Sequence, residues 1–481
     1  MRPVTSERRT DLLISASLFV ISALARLPFR GEHIFHRDSY ALAAGAMFTL
    51  TAHPPGFIGY CALVRTAYWL AGDVNLAFVI VNVLATGAAT ALAYLVTRDL
   101  FDRAAGLIGA TLYATSLCTS YFSVVALSYA AEGAFATAAA WTGWLSIRRR
   151  SFPCLLMHST VLAIGGSVRQ TTLAFLLPLW LYVVWRATPR WRRRASAVFV
   201  LALVVSLWSA PNARRLAKYW DQADVGYFES VYKLQVTMDQ FYDASGFGKV
   251  EYEESLPRFH WPLVELGVAL WNEIDPPAAD APREVRTASA SHALKLIRYQ
   301  IAKLLFYGGM AMGLSAVFVL LAPFRKRIRS TIDVERWIFL ALWILPAALF
   351  FALNHFGAWG CLLLFLAALT AVAARAITAS FTTVRGQATA TMVLALANVL
   401  VFLFMRPLPE TTDRNRLLNI ALLQYGAPSI RMHYARARSS AFDSDPRQLP
   451  IDCATDECLE RSLPLRFGLP ADLRPVKPLG Q

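Results

Sequence analysis

Residues 74–97 read VNLAFVIVNVLATGAATALAYLVT, a run without one charged side chain. An α-helix rises about 1.5 Å per residue, so such a run spans a hydrocarbon core of about 30 Å. Lipid offers no partner for backbone N–H and C=O groups, and a helix satisfies its own. This stretch therefore predicts a membrane-crossing helix. Comparable runs lie at 11–29, 104–121, 126–146, 154–168, 171–187, 195–211, 298–323, 337–353, 358–375 and 388–405. With 74–97 these make about eleven spans, and the chain is read as an all-α polytopic integral membrane protein.

Composition agrees. The 481 residues are 56% hydrophobic and only 16% charged, too apolar for an ordinary soluble domain. A net charge of +15 in a soluble chain would point to nucleic acid. Here the basic residues cluster between apolar runs, at Arg8/Arg9, Arg98/Arg103, Arg148–Arg150, Arg190 with Arg192–Arg194, and Arg325–Arg329. The short loops near 119–125 and 354–357 contain none. The positive-inside rule then puts the N-terminus in the cytoplasm, and eleven crossings put the C-terminus in the periplasm. The excess of Arg over Lys points to a GC-rich bacterial genome, hence to a bacterial inner membrane. No small-residue cleavage site follows 11–29, so it reads as a retained first span.

Four regions follow: an N-terminal membrane module (1–211) with a first outer loop at 30–73, a long periplasmic loop (212–297), C-terminal transmembrane helices (298–405) and a periplasmic tail (406–481). Segment 55–72 carries Arg65 and is less apolar, and it reads as a helix on the outer surface rather than a crossing. The 212–297 loop mixes aromatics with acids, and loops of that length are usually functional or disordered. In the tail, Cys453 and Cys458 stand close in sequence and form a local disulfide in an oxidising compartment; a zinc pair would need two further ligands.

Two carboxylates could carry chemistry. Asp38, in His36-Arg37-Asp38-Ser39-Tyr40, follows the first span. It reads either as the N-cap of a helix starting there or as a general base taking a proton from an attacking hydroxyl. Arg37 and Tyr40 beside it are read as substrate contacts. Glu132 lies inside an apolar run, and an intramembrane acid is a functional position or the partner of a nearby Arg or hydroxyl. The run His53-Pro54-Pro55-Gly56 is a rigid turn, with His53 available to phosphate or sugar hydroxyls. Arg169-Gln170 stands where a span reaches the outer face, either snorkelling or binding a lipid phosphate bidentately. Asn354-His355, in a short outer turn, is a further polar point, either a plain turn or a phosphate contact. On the topology above all of these share one side of the membrane.

At these residues the chain resembles the GT-C superfamily of membrane glycosyltransferases, and within it the protein O-mannosyltransferase-like branch. The resemblance rests on Asp38-Ser39, His53-Pro54-Pro55-Gly56, Arg98-Asp99-Leu100-Phe101, the run Gly165 to Arg169, and Asn354-His355-Phe356-Gly357, mostly within 11–190. It implies a GT-C-like bundle, a polyprenyl-phosphate-linked sugar donor and inversion at the sugar carbon. It also implies Asp38 as the activating carboxylate, Glu132 as a second acid, and donor-phosphate contacts from Arg169 or His355. Asp-Ser replaces the Asp-Glu pair common in mannosyltransferases, which leaves mannose preference open. The residues require no cofactor and leave room for a divalent metal. The acceptor, a glycan, lipid or protein, is not legible. A transporter or lipid flippase is the rival reading, although no internal repeat is visible and few charges fall at mid-span. A non-catalytic membrane scaffold is the third.

Overall fold

The computed structural model describes residues 5–30, 37–48, 57–214, 290–324, 333–353 and 359–404. His36, His53, Asn354, His355, Cys453, Cys458, nearly all of the 212–297 loop and the 406–481 tail lie outside the described residues. Every regular element among the described residues is a helix. The first half holds α1 (Thr5–Leu24), α2 (Arg37–Met47), α3 (Ile58–Ala71), α4 (Val74–Leu100) and α5 (Arg103–Thr115). It continues with α6 (Leu117–Phe122), α7 (Tyr129–Arg149), α8 (Phe152–Val168), α9 (Gln170–Ala187) and α10 (Trp191–Arg214). The second half holds α11 (Ala290–Met312), α12 (Ala316–Leu321), α13 (Val334–Leu353), α14 (Leu363–Ser380) and α15 (Val384–Phe404).

Six described helical stretches are long and apolar enough to cross a bilayer: Arg9–Phe29, Val74–Leu100, Trp191–Arg214, Val334–Leu353, Gly360–Ser380 and Val384–Phe404. Two shorter apolar helices, Phe152–Val168 and Tyr307–Leu321, accompany them. The chain is a polytopic helical membrane protein. Two expected spans are interrupted. The 104–121 run breaks at Ser116, whose extended backbone ends α5 and whose hydroxyl accepts from the Thr119 amide to start α6. The 298–323 run breaks at Gly313, which adopts φ +56 against the Asn398 side chain, a place with no room for a Cβ.

Lipid supplies no hydrophobic drive between helices, so close approach and interhelical hydrogen bonds must hold the bundle. Helix α4 packs against α1, α3, α5 and α7. Gly87 lets it reach α1: a Cβ there would stand 2.8 Å from the Phe19 carbonyl oxygen. Ser22 and Thr90 hydroxyls meet at 3.0 Å across the same pair. Helix α7 buries a seam of Ala130, Ala131, Gly133, Ala136, Ala139, Ala140 and Gly143 against its neighbours.

One end of the bundle is an ionic clamp. Asp11 on α1 accepts from Tyr94 at 2.7 Å and pairs with Arg98 at 2.9 Å and Arg103 at 3.0 Å. Asp99 accepts from Trp141 at 3.1 Å, and its carbonyl accepts from Trp144 at 3.0 Å. The Arg98-Asp99 turn thus ties α1, α4, α5 and α7. At the opposite end the half-buried Arg26 donates to the Ala114 carbonyl, so α1 and α5 run parallel and are joined at both ends.

Helices α2 and α3 form a pair beside that opposite end. Gly72 (φ +71) caps α3, Asp73 caps α4 through the Leu76 amide, and Tyr60 reaches Asn82, so α3 folds back on α4. It buries Tyr60, Cys61, Val64, Ala67 and Tyr68 and leaves Leu63, Trp69 and Leu70 exposed, the two-faced pattern of a helix at an interface. Cys61 Sγ lies 3.8 Å from the Leu42 carbonyl, and Arg65 Nε donates to Ala46 at 2.8 Å. Both contacts share an offset of nineteen residues, so α2 and α3 run parallel in fixed register. Helix α2 starts at Arg37, so Asp38 falls within its first turn rather than at the N-cap outside it.

Candidate active site

The short connections at the end of the bundle away from the clamp gather the site. Arg169 is a one-residue corner: it caps the C-terminus of α8 and the N-terminus of α9 in extended conformation (φ −156, ψ 125). Its amide donates to Gly165 at 2.9 Å and its carbonyl accepts from Thr172 at 3.0 Å. The preceding Gly165 and Gly166 make so tight a corner feasible, since a Cβ on either would stand 2.9 Å from Thr172 or Leu173. The Gly165-to-Arg169 run is therefore a helix corner that throws one guanidinium toward α7.

That guanidinium meets Glu132. The carboxylate is 1% exposed, in the first turn of α7, where a helix N-terminus favours an anion. Arg169 Nε lies 3.2 Å from Oε2, an ion pair off the line of a hydrogen bond. The Thr171 hydroxyl donates to Oε1. Arg169 Nη1 donates to Ser128 Oγ at 3.2 Å. The Tyr129 ring lies 4.2 Å below the guanidinium carbon and the Phe57 ring 5.3 Å from it. An unpaired charge here would be costly, whereas this one is paired, hydrogen-bonded and stacked. Glu132 is thus the enclosed partner of Arg169. The Arg169 side chain as a whole is 17% exposed.

Gly360 closes the floor. Its backbone lies against the Tyr129 ring, where a Cβ would stand 2.5 Å from two ring carbons and 2.8 Å from Phe122. The α13–α14 connection, which includes Asn354 and His355, thus re-enters the described structure beneath the same tyrosine.

The register of α2 and α3 places the remaining acid. An offset of nineteen carries Asp38 to the level of Phe57, whose ring touches Arg169. The backbone of Asp38 therefore stands at the Arg169 end of the α2–α3 pair, with Arg37 and Tyr40 in the same turn or the next. Ser39, beside Asp38, is buried, and its hydroxyl has no hydrogen-bond partner among the described residues. Gln170 opens α9 next to Arg169.

The structure pairs Glu132 with Arg169, two residues the sequence singled out separately. It adds Ser128, Tyr129, Thr171 and Phe57, which sequence reasoning missed. Thr171 stands two positions from Arg169 and Tyr129 three from Glu132, so proximity to a charge in an apolar run was the available signal. Among the described residues no three His, Cys, Asp or Glu side chains come together.

No curated protein matches the chain. The crystal structure of ArnT from Cupriavidus metallidurans bound to undecaprenyl phosphate is similar, with a TM-score of 0.48 at 11% identity, over 95% of this chain and 76% of that one. The oligosaccharyltransferase of Archaeoglobus fulgidus in the apo form gives a TM-score of 0.42 at 13% identity, over 90% of this chain and 58% of that one. AglB from the same archaeon, in complex with an inhibitory peptide and a dolichol-phosphate, gives 0.40 at 13% identity, over 88% and 56%. Residues 52–213 match the family model described as dolichyl-phosphate-mannose-protein mannosyltransferase, so the resemblance to membrane glycosyltransferases stands on the segment that holds Glu132, Arg169 and their partners.

Proposed function

We propose that this chain is an inverting glycosyltransferase that moves a sugar from a polyprenyl-phosphate carrier to an acceptor hydroxyl on the periplasmic side of a bacterial inner membrane. One observation carries the reading. The segment matching the mannosyltransferase family holds a fixed arginine, its side chain 17% exposed, level with the helix turn that bears Asp38. The acceptor oxygen attacks the anomeric carbon while the Asp38 carboxylate takes its proton. The bond from that carbon to the phosphate oxygen breaks, and its electron pair leaves with the polyprenyl phosphate. Arg169 faces the charge that develops there, with His355 and His53 as further donors. Glu132 holds Arg169 in place; Arg37, Tyr40, Gln170 and Asn354 bind substrate. No step draws on a cofactor. The N-terminus and the arginine-rich turns are cytoplasmic and the tail periplasmic, where Cys453 and Cys458 pair. The test is sugar incorporation in membranes from a panel of radiolabelled polyprenyl-phosphate sugars, with wild type and Asp38→Asn compared. Transfer by the wild type and its loss in a folded Asp38→Asn protein supports the reading and names the donor. Full transfer by the variant removes Asp38 from the mechanism, and no transfer from any donor moves the balance to a transporter.

A further inference from the structure

The arginine-rich end of the bundle holds a second cluster, far from Arg169. No Asp or Glu occurs between Glu132 and Asp221, yet that stretch contains Arg148, Arg149, Arg150, Arg186, Arg190, Arg192, Arg193 and Arg194. Folding brings its two basic turns together: the Arg193 guanidinium, from the start of α10, lies 5.5 Å from the ring of Phe152, which opens α8. Among the described residues, other helices supply acids to two of these arginines. Arg148 reaches Asp99 at 3.6 Å and Arg186 reaches Glu335 at 2.6 Å. Arg194 donates to the carbonyls of Thr188 and Trp185. Arg149, Arg150, Arg190, Arg192 and Arg193 form no ion pair among the described residues. Arg150 also ends α7 at φ +48, where Gly or Asn would cost less.

Gathered guanidinium groups repel one another, and an anion between them relieves that repulsion. The flanks indicate what carries it. Trp185 and Trp191 are 68% and 71% exposed, and Arg194 and Arg192 lie 4.4 Å and 5.8 Å over their rings. Tryptophan so placed is typical of the headgroup layer. Leu181, one turn before Trp185, and Phe199, two turns after Trp191, are exposed too. Charge, amphipathic ring and apolar side chain thus succeed one another along α9 and α10, in the order of phosphate, ester and acyl chain in a phospholipid.

We propose that the turns at Arg148–Arg150 and Arg190–Arg194 bind the headgroup of an anionic phospholipid, with its acyl chains lying along α9 and α10. Basic clusters at the ends of transmembrane helices bind such headgroups through the same chemistry. The full chain in detergent is titrated with phosphatidylglycerol or phosphatidylcholine and lipid adducts are read by native mass spectrometry. Wild type is expected to retain phosphatidylglycerol at concentrations where phosphatidylcholine leaves none. Arg149→Gln with Arg193→Gln is expected to weaken phosphatidylglycerol binding by roughly tenfold or more. Arg9→Gln with Arg385→Gln removes the same charge from exposed positions elsewhere at that end and is expected to leave binding unchanged. Arg150→Asn with Arg192→Gln, which suits the left-handed position, gives a second reading should the first double variant not fold. Equal retention of the two lipids, equal loss in test and control variants, or displacement by inorganic phosphate at matching concentration would each overturn the proposal.

Discussion

Arg65 and Ala46 are joined across the α2–α3 pair: Nε donates to the Ala46 carbonyl at 2.8 Å, while Nη2 reaches Gly45 at 2.9 Å. A cation thereby closes the C-terminus of α2, where helix carbonyls lack intrahelical partners. The same contact sets the register that brings Asp38 level with Phe57. Arg65→Ala is expected to cost about 1–3 kcal/mol of stability and to lower sugar transfer further than that loss explains. Arg65→Lys should recover stability only in part, because an ammonium lacks the planar fork that meets two carbonyls. Thermal unfolding and transfer assays on both variants decide it.

The Glu132–Arg169 pair separates stability from chemistry. Arg169→Met leaves a buried carboxylate without its partner and should cost about 3–5 kcal/mol. Glu132→Leu combined with Arg169→Met removes both charges, and its unfolding temperature should lie closer to wild type than that of either single variant. On the proposed function, transfer should stay lost in the double variant, since it would leave no guanidinium for the donor phosphate. A double variant that regains transfer would make the pair structural only.

Gly360→Ala tests the floor of the site. Its methyl group would meet the Tyr129 ring, and Tyr129 supports Arg169. Overpacking of this kind costs about 1–3 kcal/mol. Transfer is expected to fall with the apparent affinity for the lipid donor, and Tyr129→Leu in the same chain should relieve part of the stability loss.

Asp11→Asn tests the clamp. Asp11 gathers Tyr94, Arg98 and Arg103, and its loss leaves two guanidinium groups side by side. The variant should lower the unfolding temperature and speed proteolysis near Arg103, while leaving the donor preference of the residual enzyme unchanged.

Most of the fold was legible because lipid enforces a simple rule, a long apolar run for each crossing, and α4 obeys it from Val74 to Thr97. The interruption at Gly313 was not, because its partner, Asn398, lies more than eighty positions on, and the break at Ser116 turns on a local cap inside an otherwise apolar run. Glu132 and Arg169 could be picked out as charges in apolar surroundings. Their pairing could not, since it depends on a one-residue corner that two glycines allow. Arg26, inside the 11–29 run, drew no reading from the sequence, while the structure gives it the Ala114 carbonyl. The level of Asp38 against Arg169 emerges only from the offset between α2 and α3.

The first helix has a consequence for how the protein is made. Its carboxylate, Asp11, waits for Tyr94, Arg98 and Arg103, and its guanidinium, Arg26, waits for Ala114. At ribosomal speed those partners emerge about 5–20 seconds later. During that interval a nascent α1 carries unpaired charges of both signs at the two ends of an apolar segment. Those partners arrive with α4 and α5, so α1 is expected to reach its final packing only once both are in the membrane, and a ribosome stalled before Arg103 should leave it without them.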